Sequence, residues 1–245
     1  MRRNSTEIAK MRKAGKVVVE IKERTREAVR PGITTLELDK IAREVIEKRG
    51  AKSNFLNYHG FPATICTSPN SMIVHGIPGS YRLEEGDVIS IDCGAIVEGY
   101  HGDSAYTMGV GEISKQAQHL IEVTEQSLVA AIGVMVEGNR LHEIGRVVQK
   151  IVEAEGMSVV REYVGHGIGT AMHESPSVPN YWPGNSGPKL QIGNVLAVEP
   201  MVNLGGPETL TLEDGWSVVT KDGSLSAHFE HTIAILENGP EVLTQ

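Results

Sequence analysis

GITTLELDKIAREVIEKRG, residues 32–50, has a counterpart of equal length further along the chain in GNRLHEIGRVVQKIVEAEG, residues 138–156. Laid over one another, the two place Glu37 on Glu143, Leu38 on Ile144, Ile41 on Val147 and Val45 on Ile151. Apolar residues three and four apart mark one face of an amphipathic helix. Thr34 with Glu37 forms a capping box ahead of the first stretch, and Gly50 and Gly156 stop the two. One residue out of that register, LEEGDVISID (83–92) lies over LQIGNVLAVE (190–199), and YHGFP (58–62) over GHGIG (165–169), which sets His59 against His166. GDSAYTMGV (102–110) resembles FEHTIAILE (229–237), with Asp103 against Glu230. A series of matches in one order predicts a duplicated helix-plus-strands unit, roughly 32–110 and 138–236, inside a single domain spanning 1–245.

The flanking sequence fits that plan. Ile8, Met11, Val18, Ile21 and Ala28 give a first helix with Asn4 and Glu7 as its capping box and Pro31-Gly32 as its end. Two more helices are predicted near 115–133 and 140–155. The apolar, β-branched runs DVISID, NVLAV and HTIAIL read as buried strands. Helices and strands in this order give an α+β fold.

A chain of 245 residues with net charge −8 and 40% apolar content can bury a sizeable core. No run approaches the roughly 20 apolar residues of a membrane-spanning helix, and MRRNSTEIAK lacks the apolar stretch of a signal peptide, so the expected compartment is the cytoplasm. The acidic balance argues against nucleic acid as a partner. The basic segment RRNSTEIAKMRKAGK is read as a solvated helix face. With only Cys66 and Cys93, neither a disulfide framework nor a multi-cysteine zinc site can form, and any metal must use His, Asp and Glu.

The duplication itself suggests such a metal. Each half is expected to end an apolar strand on a carboxylate, Asp92 or Glu199, and to open the next strand with another, Asp103 or Glu230. If the halves pack about a pseudo-twofold axis, four carboxylates converge, and four negative charges stay ionised in an apolar interior only when cations neutralise them. With a neutral imidazole, the set suits two divalent ions of the Mn, Fe or Co type, which can acidify a water and polarise a carbonyl.

In GHGIGTAMHESP, residues 165–176, the two histidines lie seven apart, roughly 10 Å of rise on a helix, and Gly167 and Gly169 disfavour a helix altogether. At most one of His166 and His173 is therefore a primary ligand. His75, in NSMIVHGIPG, lies between an apolar run and a turn. His59, His101, His119, His142, His228 and His231 are read as surface or hydrogen-bonded core histidines.

The stretches NSMIVHGIP, DVISIDCGAIVEGYHGDSAYTMGVG, YVGHGIGTAMHESP, LAVEPMV and DGWSVVTKDGSLSAHFEHT, in this order, make the chain resemble the type I methionine aminopeptidases of the pita-bread fold over nearly its whole length. That resemblance implies two pseudo-symmetric helix-plus-strand halves around a central antiparallel sheet. It implies two divalent ions, Co, Mn or Fe with Zn also accepted, in which Asp92 chelates the first ion, Asp103 and Glu230 bridge both, and His166 with Glu199 completes the second. The implied reaction is removal of the N-terminal methionine from nascent polypeptides, with small second residues preferred. A metal-bridging hydroxide attacks, Glu199 serves as general base and then acid, His173 steadies the attacked carbonyl, and His75 contacts the leaving nitrogen. Tyr58, Phe61, Cys66, His75 and Trp216 would line the methionine pocket, and Asn70 with Ser226 would flank a monovalent cation.

The resemblance also carries expectations about partners: a monomer, with the ribosome exit region as a possible docking partner and no zinc-binding N-terminal extension. Met172 departs from the family pattern, which often has an aromatic residue there. Prolidase and aminopeptidase P share the fold and the ligand pattern, but usually carry an extra N-terminal domain for which this chain has no room. A non-catalytic binding module of the same fold is disfavoured because all five ligands are present.

Overall fold

The computed structural model describes residues 2–245. Four helices form where the periodicity places them. α1 (Ser5–Ala28) and α2 (Thr35–Lys48) begin with complete capping boxes, in which Asn4 and Thr34 accept from the amides of Glu7 and Glu37 and the two glutamates accept in return. α3 (Lys115–Gly133) is capped by Ser114, and α4 (Glu143–Ala154) starts slightly later than expected.

The first half contributes the strands β1 (Lys52–Ser53), β2 (Ile65–Pro69) and β3 (Met72–Val74), then a hairpin of β4 (Val88–Val97) and β5 (Tyr100–Gly109). The hairpin turns on Glu98 and Gly99, both at positive φ (51° and 79°), the geometry that matches the twist of paired strands. After α3 and α4 come β6 (Ser158–Val159), β7 (Gly165–Gly167), β8 (Glu174–Val178), β9 (Val195–Val198) and β10 (Met201–Asn203). The chain closes with β11 (Thr209–Thr211), β12 (Val218–Thr220), β13 (Ser226–His228), β14 (His231–Leu236) and β15 (Gly239–Val242).

In one sheet β4 lies between β5 and the β1/β2 edge, and a second runs β15-β14-β9-β7-β8. Two smaller sheets, β13-β10-β6 and β11-β12-β3, complete the framework, and every pairing is antiparallel. The sheets of the two halves meet where β5 faces β14. There Thr232 Oγ1 accepts from the Asp103 amide and donates to its carbonyl, Ser104 Oγ donates to the Glu230 carbonyl, and the Glu230 amide reaches the Ala105 carbonyl. One apolar cluster runs through both halves, from Val18 and Leu38 through Ile91 and Leu120 to Val198 and Ile235. The site is thus held on a continuous core.

Three expectations need correction. Asp92 does not end its strand: β4 continues through Cys93 and Gly94 to Val97, because the turn residues come only at Glu98-Gly99. His59 does not occupy the place of His166. His166 pairs with Ala197, and the residue of the first half at the place of Ala197, Ser90, pairs with Ser68, whereas His59 sits in a short 3-10 turn at φ 49°. The basic N-terminal segment is not wholly a solvated face either, since Arg3 is buried.

Candidate metal centre and substrate cavity

Strand alternation gathers the acidic residues. Asp92 pairs with Ala105, and Asp103 lies two positions from Ala105 on the same strand, so both carboxylates project from one face of the hairpin. Cys66 pairs with Asp92 and shares that face. In the second half Ala197 pairs with both His166 and Thr232, and Glu199 and Glu230 lie two residues from Ala197 and Thr232, which puts His166, Glu199 and Glu230 on one side. The seam between β5 and β14 then turns the two faces toward each other.

The result is an open cavity bordered by Asp92, Asp103, His166, Glu199 and Glu230. One ligand atom from each of Asp103, His166 and Glu230 lies within 4.8 Å of the others. Glu199 Oε1 is 3.5 Å from His166 Nε2. His166 Nδ1 is 2.9 Å from the Gly167 carbonyl, so this nitrogen carries the proton and Nε2 presents its lone pair to the carboxylates. Burial holds the His166 imidazolium down to about 4, which leaves the ring neutral at pH 7.

Electrostatics shows how unsatisfied this arrangement is by protein alone. Burial pushes Asp92 up to about 7. Asp103, Glu199 and Glu230 rise well above the carboxylate range, first through burial and then through the Asp92 charge and one another. Asp92 Oδ1, Asp103 Oδ1 and Glu230 Oε1 have no hydrogen-bond partner among the described residues. Buried carboxylate oxygens left open toward a shared cavity, beside an imidazole lone pair, are the donor set of a divalent-ion site.

On the apolar side of the cavity, Tyr58, Phe61, Cys66 and Trp216 pack together, joined by Phe55 and Met172. The Phe61 and Trp216 rings meet edge to face at 5.1 Å. Met172, the departure noted in the sequence, is buried in this wall. His173 lies beside His166 with ring centroids 4.3 Å apart, and its Nδ1 is 2.8 Å from the Tyr58 hydroxyl. His75 borders the cavity in the left-handed region at φ 61°, its ring edge-on to Tyr163, and burial pulls its imidazolium down to about 4. Asn70 and Ser226 adjoin through a main-chain hydrogen bond, but the Asn70 side chain is engaged by Asp87 and Val88 and the Ser226 hydroxyl by the Val202 carbonyl.

Sequence reasoning missed three residues. Phe55 and His59 line the cavity from an irregular segment that carries no periodic signal. Met172, read from the sequence as bearing on the shape of the pocket rim, lines the cavity. His228, read as an ordinary core histidine, is buried with Nε2 3.9 Å from Glu199 Oε2, and its spacing of two from Glu230 was the available clue. The remaining histidines are hydrogen-bonded as expected: His101 to Asn54, His119 to Glu155, His142 to the Asn185 carbonyl and His231 to Thr244.

Residues 9–237 match the model of metallopeptidase family M24. The chain is 54% identical to a methionine aminopeptidase of Clostridium perfringens over 99% of its own length and 97% of that protein. The solved structure of a methionine aminopeptidase from Thermotoga maritima superposes with a TM-score of 0.98 at 42% identity, and each chain is covered in full. A prolidase from Pyrococcus furiosus shares the fold at 21% identity and a TM-score of 0.80, with this chain spanning 65% of its length. The α+β, pita-bread architecture expected from the sequence therefore holds.

Proposed function

The chain belongs to metallopeptidase family M24 and, within it, to the methionine aminopeptidases, and from that premise we propose that this cavity removes the N-terminal methionine from polypeptides by metal-assisted hydrolysis. The observation that carries the reading is the joining of five metal-type donors to an apolar, aromatic and sulfur-lined pocket in one cavity. Such a lining suits an unbranched thioether side chain. The identities above favour this reading over a proline-specific peptidase, since the prolidase likeness extends to the fold alone.

Asp92, Asp103, His166, Glu199 and Glu230 would hold two divalent ions, Mn, Fe or Co in preference to Zn. When bound, such ions polarise a carbonyl and acidify water. Glu199, at the mouth of β9 with one oxygen toward His166, is placed to take a proton from the attacking water and return it to the leaving amine. Tyr58 can donate its hydroxyl proton to His173 Nδ1, which leaves Nε2–H as a donor toward the attacked carbonyl. His75, kept neutral by burial at the cavity wall, would contact the leaving nitrogen. Asn70 and Ser226, joined by the Ser226 amide and the Asn70 carbonyl, would flank a monovalent cation.

We read the chain as one catalytic domain of two related halves, acting as a monomer in the cytoplasm on nascent chains near the ribosome exit. Among the described residues no helix is long and apolar enough to cross a membrane. The test is release of free methionine from a Met-Ala-Ser peptide alongside an Ala-Pro dipeptide. Methionine release that is lost in Glu199→Ala, with Ala-Pro untouched, supports the reading. Cleavage of Ala-Pro alone would assign the proline-specific reaction.

A further inference from the structure

The segment that carries Met172 and His173 is held from the far end of the chain. Between β7 and β8 the backbone loops through Ile168 to His173, and Glu174, the next residue, organises it. Glu174 Oε1 accepts from the Thr170 amide at 2.8 Å, the Ala171 amide at 3.1 Å and the Thr170 hydroxyl at 3.3 Å. Its other oxygen, Oε2, accepts from the guanidinium of Arg3, 171 residues away in sequence. The Arg3 side chain is 3% exposed and that of Glu174 14%, so the ion pair is part-buried.

Two glycines make room for this arginine. A Cβ on Gly169 would lie 2.0 Å from Arg3 Nη2, so the guanidinium rests directly on the loop backbone. A Cβ on Gly193, at φ +87°, would lie 2.6 Å from the Arg3 carbonyl oxygen, where the Arg3 amide bonds the Gly193 carbonyl at 2.7 Å. The Arg2 guanidinium fixes the same approach by donating to the Ile192 carbonyl at 2.8 Å. Residues 2 and 3 thus strap the N-terminus across the approach to β9 and onto the 169–174 loop. His101 bonds the same loop from the other side through its amide and the Gly169 carbonyl at 2.8 Å.

We propose that Arg3 is a positioning residue for the methionine-releasing reaction: through Glu174 it fixes the loop that presents His173 to the substrate and Met172 to the methionine pocket. The inference rests on the functional reading above. A part-buried, charge-assisted pair tolerates loss of one partner poorly, because Glu174 would lose the cation that balances its charge and would hold the loop amides with less constraint. Neither Arg3 nor Glu174 borders the cavity, so the effect reaches the substrate only through loop geometry. Misplacement of a catalytic contact by about 1 Å costs up to roughly a hundredfold in rate.

The test uses full-length, metal-loaded protein with Arg3→Met, Arg3→Lys, Glu174→Gln and the double variant Arg3→Met/Glu174→Gln. Two readouts are taken: kcat and KM for methionine release from Met-Ala-Ser, and hydrogen exchange of the Thr170 and Ala171 amides. Arg3→Met is expected to lower kcat roughly ten- to hundredfold and to speed exchange at both amides, with Co(II) titrating the five-donor site as in wild type. Arg3→Lys should restore much of both, and the double variant should be no worse than the more impaired single one, because the pair acts as a unit. A folded Arg3→Met protein with wild-type kcat and unchanged exchange would overturn the proposal, as would a lowered melting temperature with kcat intact. The exchange readout remains decisive if wild type itself releases no methionine, which separates failure of this inference from failure of the functional reading.

Discussion

Asp92→Asn should stabilise the protein without metal and destabilise it with metal. Burial moves the Asp92 carboxyl from 3.8 to about 7 in the folded chain. The folded state therefore holds this proton more tightly than the unfolded state. Stability from that proton is fully present below about pH 4 and is lost as pH rises through 7. A shift of about three units is worth about 4 kcal/mol at 1.36 kcal/mol per unit, and this is the ceiling of the penalty at pH 8. Asparagine keeps the shape and cannot ionise, but it leaves an amide short of partners at a cost of about 1–3 kcal/mol. The metal-free variant should then exceed metal-free wild type by about 1–3 kcal/mol at pH 8, and the advantage should vanish or reverse at pH 5. With saturating Mn or Co the order inverts, since wild type gains from mass action and the variant has lost a donor. Urea unfolding at the two pH values, with chelator and with metal, measures all four differences. An asparagine variant less stable than wild type by the same margin in all four conditions would refute the claim that these carboxylates sit in a site built for cations.

Other consequences are local. Cys66→Phe would fill the wall shared with Phe61 and Met172, so the KM for Met-Ala-Ser should rise at least tenfold, about 1.4 kcal/mol of lost binding, while Co(II) titration stays intact. Gly15→Ala should destabilise, although alanine in an open helix gains about 1 kcal/mol over glycine. The new Cβ would lie 1.9 Å from the Leu243 carbonyl, and chemical denaturation should show a net loss of about 1–3 kcal/mol. Burial drives the His231 imidazolium down to about 3, so the unfolded chain takes up this proton first. The resulting stability is present above about pH 6.5 and is lost as pH falls toward 3, and His231→Gln should flatten that part of the unfolding profile.

What the sequence disclosed followed the range of the interactions. The capping boxes at Asn4/Glu7 and Thr34/Glu37 are three-residue signals, and the helices start there. Asp92, Asp103, Glu199 and Glu230 became visible as a group because the two halves repeat, and the structure places all four around one cavity. Strand register was less legible. Aligning His59 with His166 was a nine-residue slip from the true partner Ser68, since a short polar segment holds too little pattern to fix register. Asp92 was placed at a strand end because Cys93 and Gly94 follow the apolar run, whereas the turn that stops β4 comes six residues after it, at Glu98. Arg3 and His228 depend on contacts between distant segments, Glu174 for the first and Glu199 for the second, which no local spacing announces.

The most direct test of the central claim is a count of metal ions bound by metal-stripped protein titrated with Co or Mn while methionine release from Met-Ala-Ser is followed, in wild type and in Asp103→Asn/Glu230→Gln. Wild type should bind two ions per chain, activity should appear only as they bind, and the variant should lose both binding and release. Two ions still bound by the variant, or methionine released by wild type with a chelator present, would contradict it.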